Sequence, residues 1–182
     1  MIADVVHGDV KPGNVVVFSK SSDSHDVVAK MIDFGYSCYG MDDEDMVHIT
    51  GTPLWSAPEN NGDSVSIRSA KKMDVYSFAL VCCWILFFDI VSLDNGIEVQ
   101  MEESSIDGIP KKKMYRFIEL IKDVERPEGP ISEIILRTSF LGVQKSFLLQ
   151  KLLTEALCKA PSSRLDDWSE VILVLSRLQG LE

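Results

Sequence analysis

The stretch His7-Gly8-Asp9-Val10-Lys11-Pro12-Gly13-Asn14 sets an aspartate five residues ahead of an asparagine, in a loop tightened by proline and glycine and followed at once by a β-prone run. Such a loop converges two oxygen-bearing side chains. Asp33-Phe34-Gly35 comes 19 residues after Asn14, at the end of a second β-prone run. A hairpin between the two runs would bring this third oxygen ligand back beside the first two. Hard oxygens of this kind suit Mg²⁺, which takes a few protein oxygens together with phosphate.

The elements that position these groups follow from local pattern. Val15 to Phe18 and Val27 to Ile32 read as two strands around a polar, serine-rich tip, Ser19 to Asp26. Residues 36–70 are rich in Gly, Pro, Ser, Asp and Asn without a sustained period, which predicts an extended loop with short helical turns. From near Asp74 to about residue 88 the chain is apolar on nearly every side, so a central helix there must be wrapped by the rest of the domain, with Phe78, Val81, Trp84, Ile85 and Phe88 as core. A short apolar helix is expected over Tyr115 to Ile121. Two amphipathic helices follow, one around Phe147, Leu148, Leu152, Leu153 and Leu157, the other around Trp168, Val171, Ile172, Leu175 and Leu178, with Asp166 or Asp167 as its cap. The fold class is mostly α with a small β-hairpin.

Composition narrows the function. With 182 residues and 46% hydrophobic content the chain reads as one globular unit with a sizeable core. Its formal charge of −10 argues against nucleic acid or an anionic membrane, since both reward clustered positive charge, and basic or neutral partners fit better. The run Lys111-Lys112-Lys113 reads as a solvated face. Cys38, Cys82, Cys83 and Cys158 have no C-x-x-C spacing, and the N-terminus has no secretory pattern, so an intracellular compartment, cytoplasmic or nuclear, is expected. The longest apolar run, Val75 to Phe88, is 14 residues, short of a bilayer span.

Taken with their order along the chain, these segments resemble the protein kinase family, whose catalytic loop reads H-R-D-x-x-x-x-N and whose magnesium loop reads D-F-G. Gly51-Thr52-Pro53-Leu54-Trp55-Ser56-Ala57-Pro58-Glu59 resembles the end of that family's activation segment, G-T-x-x-Y-x-A-P-E. Asp74-Val75-Tyr76-Ser77-Phe78 resembles the opening of its buried central helix, and Cys158 to Arg164 the segment whose arginine pairs with the A-P-E glutamate. The resemblance implies a kinase-like C-terminal lobe built round that helix, spanning 1–182, with catalytic loop 7–14, magnesium loop 33–35 and activation segment 33–59.

It also implies roles. Asp9 would accept the proton of a substrate hydroxyl, Lys11 would neutralise charge on the γ-phosphate of ATP, and Asn14 and Asp33 would hold Mg²⁺ and, through it, the nucleotide. Thr52 would line the substrate site. His7, Phe34 and Gly35 would be structural, His7 packing near Phe34, and Glu59 and Arg164 would form a buried ion pair. Asp74 reads either as an N-cap or as a carboxylate bonding the catalytic-loop backbone, and the second explains why a carboxylate stands there. Lys11 and the Asp-Val-Tyr-Ser-Phe opening resemble the serine/threonine and tyrosine-kinase-like branches.

The sequence departs from the pattern in three places. Gly8 replaces the arginine that recognises a phosphorylated activation loop. Asp42-Asp43-Glu44-Asp45 reads as a solvated acidic face, the alternative being a phosphate mimic received by some other basic residue. The 182 residues hold no G-x-G-x-x-G loop, no V-A-I-K-type lysine and no partner glutamate upstream, so the N-terminal lobe is missing and the chain alone is expected to be inactive. Two further readings stand beside the kinase: a pseudokinase-like module that docks protein partners, and a relative of the aminoglycoside and choline phosphotransferases, which share the His-Gly-Asp wording. Lys11 with the Gly51 to Glu59 ledge favours protein acceptors over small ones.

Overall fold

The computed structural model describes residues 5–19, 27–40, 42–94, 105–106, 109–122, 131–132, 135, 142–165 and 168–179. The longest helix among the described residues is α1 (Ile67–Asp94), 28 residues long. The helix begins seven residues ahead of Asp74, earlier than expected, because its first turn finds partners for the donors that a helix start leaves orphaned. Ser66 Oγ accepts the Ser69 N–H at 3.3 Å, while the Ile67 and Arg68 N–H groups go to the carbonyls of Asp45 (2.9 Å) and Asp43 (3.0 Å). Ile67, Ala70, Met73, Tyr76, Leu80, Cys83 and Phe87, three or four residues apart, are all buried. Ile85 is the exception to the expected core stripe: it is 65% exposed, so α1 is not wrapped on every side. The side chain of Phe88 lies outside the described residues.

Among the described residues four small two-stranded antiparallel sheets accompany the helices. β1 (Val5–Val6) pairs with β4 (Cys38–Tyr39), and β5 (Met46–His48) with β6 (Ser64–Ser66). β7 (Ser105–Ile106) pairs with β8 (Ile109–Pro110). β2 (Val15–Ser19) and β3 (Val27–Met31) form the expected hairpin, in register from Val15↔Met31 to Ser19↔Val27, and the tip between them lies outside the described residues. Val17, Phe18 and Val27 of this hairpin stay exposed, together with Phe34, Tyr36 and Tyr39. Residues 36–70 are therefore not one open loop, since β4, β5, β6 and the first turn of α1 fall within them.

Helix α2 (Lys111–Lys122) is longer than the expected Tyr115 to Ile121 and buries Phe117, Ile118 and Ile121. Helix α3 (Gly142–Ala156) buries Leu149, Leu152, Leu153 and Ala156 but leaves Phe147, assigned above to its apolar face, 66% exposed. In helix α4 (Trp168–Gln179) Val171 is buried and Trp168 packs edge-on against Phe78 at 5.1 Å, whereas Ile172 faces outward. The caps Asp166 and Asp167 and the side chain of Leu178 lie outside the described residues. Among the described residues no helix is long and apolar enough to cross a membrane.

Candidate functional site

The site is organised around Asp9, which is 3% exposed. Lys11 Nζ donates to its Oδ2 at 2.6 Å and Asn14 Nδ2 to the same oxygen at 3.2 Å, while Thr52 Oγ1 donates to Oδ1 at 2.7 Å. Lys11 Nζ also donates to Thr52 Oγ1 (2.8 Å), closing a ring of three side chains. Burial pushes the Asp9 carboxyl pKa up, but the bonds from Lys11, Thr52 and Asn14 and the Lys11 charge outweigh it, leaving the pKa below the usual carboxylate value. Asp9 is thus held ionised, an acceptor on both oxygens. Pro12–Asn14 form a 3-10 turn that brings Asn14 round so that its Nδ2 also meets the Asp9 carbonyl at 2.9 Å.

The loop carrying Asp9 hangs from α1. Asp74 accepts the backbone N–H of His7 (2.6 Å) and of Gly8 (3.0 Å), one on each oxygen, and its place inside the helix rules out the N-cap alternative. His7 Nε2 reaches the Ile32 carbonyl at 3.1 Å and Nδ1 the Asp9 N–H at 3.3 Å, with its ring 5.0 Å from that of Phe34. Both ring nitrogens are engaged by backbone groups. Gly8 has φ +75, and a Cβ there would stand 2.6 Å from the Tyr36 carbonyl oxygen, so this backbone does not accept an arginine without moving.

Asp74 makes a testable pH signature. Burial raises its pKa from 3.8 to about 6, against the pull of the His7 and Gly8 N–H groups. The native state then holds this proton more tightly than the unfolded chain. The stability due to Asp74 is therefore full below pH 3.8 and lost as pH rises through about 6. Replacing Asp74 by Asn removes that loss, so the slope of unfolding free energy against pH between 4 and 6 should rise by about 1.4 kcal/mol per unit. Denaturant titrations of both proteins across that interval check it; parallel slopes would place the ionisation elsewhere.

Asp33 is delivered by the hairpin. The Ile32 N–H donates to the Asn14 carbonyl at 2.9 Å, so Asp33 directly follows the residue paired with Asn14. It is exposed, sits in the left-handed region (φ 61) and accepts the Gly35 N–H through Oδ1 at 3.4 Å. With both Nδ2 bonds of Asn14 turned toward Asp9, the Asn14 amide oxygen and the Asp33 carboxylate are the hard donors on offer. Among the described residues no three His, Cys, Asp or Glu side chains gather as a metal cage. A donor set of two protein oxygens fits Mg²⁺ completed by phosphate and water, and fits poorly with an all-protein site.

The Thr52 turn is fixed from several sides. The Thr52 carbonyl accepts the N–H groups of Trp55 (2.9 Å) and Ser56 (3.1 Å), and the buried Trp55 ring meets Trp84 edge-on at 6.3 Å. Gly51, with φ +61, would place a Cβ 2.8 Å from the Gly8 carbonyl oxygen, so glycine lets the two loops touch. Glu59 and Arg164 meet through both terminal guanidinium nitrogens, Nη1 donating to Oε1 at 2.5 Å and Nη2 to Oε2 at 3.0 Å. Only the arginine is fully buried: its side chain is 0% exposed and that of Glu59 22%.

Three groups escaped the sequence reading. Lys122 donates to three carbonyls of the Thr52 turn. The buried Lys72 donates to the Pro161 carbonyl at 3.1 Å, and Ser37 Oγ to the His7 carbonyl at 3.1 Å. The acidic run is also not simply solvated, because Lys71 Nζ lies 2.9 Å and Arg68 Nη2 3.6 Å from Asp43. Neither basic residue carries a sequence signal beyond its place in the first turns of α1.

Residues 2–172 match the sequence model of the protein kinase domain. The chain is 35% identical over 95 residues to calcium-dependent protein kinase 22 of Arabidopsis thaliana, covering 52% of this chain and 18% of that one. It is 39% identical over 79 residues to a CDPK-related protein kinase of Daucus carota (43% and 13%). To the probable serine/threonine-protein kinase mkcC of Dictyostelium discoideum it is 32% identical over 78 residues (42% and 8%). The chain thus spans less than a fifth of the length of these relatives.

Proposed function

Because the chain belongs to the protein kinase domain family, we propose that it is the C-terminal lobe of a serine/threonine kinase site that transfers the γ-phosphate of ATP to protein hydroxyls. The observation that carries this is the set of bonds around Asp9, in which an ionised carboxylate is oriented by Lys11, Thr52 and Asn14, the last paired through its carbonyl with Ile32, the residue before Asp33. In this reading Asp9 takes the proton of the acceptor hydroxyl as its oxygen bonds to the γ-phosphorus and the bond to ADP breaks, ADP leaving with that electron pair. Lys11, already bonded to Asp9, offers its positive charge to the phosphoryl group in transit. Asn14 and Asp33 would hold Mg²⁺, which would neutralise charge on the phosphoryl group that ATP supplies. Thr52 sets the acceptor ledge against the base. The formal charge of −10 favours neutral or basic protein acceptors.

The reading is tested by Asp33→Ala, which removes the carboxylate that no other described residue replaces. Calorimetric titration with ATP and Mg²⁺ should show binding to the parent chain and at least about tenfold weaker binding to the variant, a loss of about 1.4 kcal/mol or more. Equal binding by the two would move the nucleotide site away from the hairpin.

A further inference from the structure

Lys122, the last residue of α2, uses its ammonium outside its own helix. Nζ donates to the carbonyls of Ser56 (2.8 Å), Pro53 (3.1 Å) and Leu54 (3.3 Å), three acceptors for three N–H donors. These carbonyls belong to the turn that begins at Thr52, and the Thr52 carbonyl is already taken by Trp55, Ser56 and the Ser56 hydroxyl (2.9 Å). The backbone acceptors of the turn are therefore divided between itself and one lysine. At its other end the same turn presents Thr52 Oγ1 to Asp9 and Lys11.

We propose that Lys122 is a positioning residue that fixes the Thr52–Ser56 turn, and with it the acceptor ledge, against the Asp9 site. The ledge owes its name to the phosphotransfer reading above; the anchoring itself does not depend on it. A Lys at a helix C-terminus is favoured by that helix's own carbonyl end, and such a lysine would ordinarily stay solvated. Here the head group is withdrawn into another segment, and the burial lowers its pKa. The bonds are charge-assisted and converge on a single turn, so their loss deprives the Leu54 and Ser56 carbonyls of this donor and leaves the Pro53 carbonyl only the 3.4 Å bond from the Ser56 N–H. Trp55 holds the turn to the core through its ring, and the Thr52 hydroxyl ties its start to Asp9 and Lys11. Lys122 supplies a third point of attachment, to the carbonyls between them.

The experiment is amide hydrogen exchange on residues 1–182 without nucleotide or acceptor, so its outcome is independent of whether ATP binds. Lys122→Met keeps most of the apolar stem and removes the donors; Lys122→Arg keeps the charge and donors. In Lys122→Met the Trp55 and Ser56 amides should exchange about tenfold faster, with the amides of Ile118 and Ile121 unchanged and α-helical circular dichroism retained. Lys122→Arg should return exchange to within about threefold of the parent. Lys122→Gln, scored in the same way, serves if the methionine variant does not fold. Unchanged exchange at Trp55 and Ser56, acceleration shared equally by α2, or acceleration that arginine does not reverse would each overturn the assignment.

Discussion

Arg164→Ala should unfold with a stability lower by about 3–5 kcal/mol, the range typical of breaking one partner out of a buried pair. Arg164 Nε and Nη2 both donate to the Cys158 carbonyl (2.9 and 2.8 Å), Nη2 also to Lys159 (3.3 Å), and Nη1 to the Lys72 carbonyl (3.2 Å), in addition to both Glu59 oxygens. Its guanidinium lies 4.8 Å from the Tyr76 ring centroid. Truncation leaves three carbonyls, that of Lys72 buried and those of Cys158 and Lys159 partly buried, without this donor and opens a void beside α1. Glu59 can recover part of its solvation, being partly exposed, so the larger share of the cost falls on the carbonyls and the cavity. Against a total of about 5–15 kcal/mol for a domain, the loss is a large fraction. Arg164→Lys keeps the charge but not the planar fork, and should fall between the two. Denaturant unfolding measures all three; an alanine variant as stable as the parent would show that the clamp contributes nothing.

That pair was legible in the sequence because each end sits in a short segment of fixed wording, Ala57-Pro58-Glu59 and Pro161-Ser162-Ser163-Arg164. The hairpin was legible for a different reason: its two valine-rich runs carry their own β preference. What escaped was structure that exists only through distant partners. β4, β5 and β6 are two or three residues each, too short for any period, and are defined by the strands they meet. The early start of α1 depends on carbonyls of Asp43 and Asp45 that no local pattern announces. Lys122 and Lys72 escaped because a lysine bonding carbonyls is spelled like any surface lysine. Ile85, Phe147 and Ile172 were assigned to apolar faces that turn out to be open to water, since hydrophobicity reports what a residue prefers and not what is there to cover it.

The polypeptide of residues 1–182, assayed alone, should transfer phosphate to protein many orders of magnitude below a complete kinase site, although Asp9, Lys11, Asn14, Asp33 and Thr52 are in place. Phosphoryl transfer asks little covalent chemistry of the protein and depends on holding the phosphates in line. In the family that task belongs to a Gly-rich lid and to a lysine fixed by a glutamate, and these 182 residues contain no G-x-G-x-x-G. Positioning of this kind is worth roughly 7–11 kcal/mol of barrier, or about five to eight powers of ten in rate. The surroundings of Asp33 agree: Phe34 is 58% and Ile32 40% exposed, so water reaches the side on which the nucleotide would lie. Electrostatic stabilisation is weaker in such a wet site than in a closed one. Incubation with γ-labelled ATP, Mg²⁺ and a mixed basic protein acceptor should give incorporation no greater than that of Asp9→Asn. Robust incorporation that Asp9→Asn abolishes would overturn this expectation, because the phosphates would then have to be clamped by groups of this chain, or of a second copy, other than those of the family pattern.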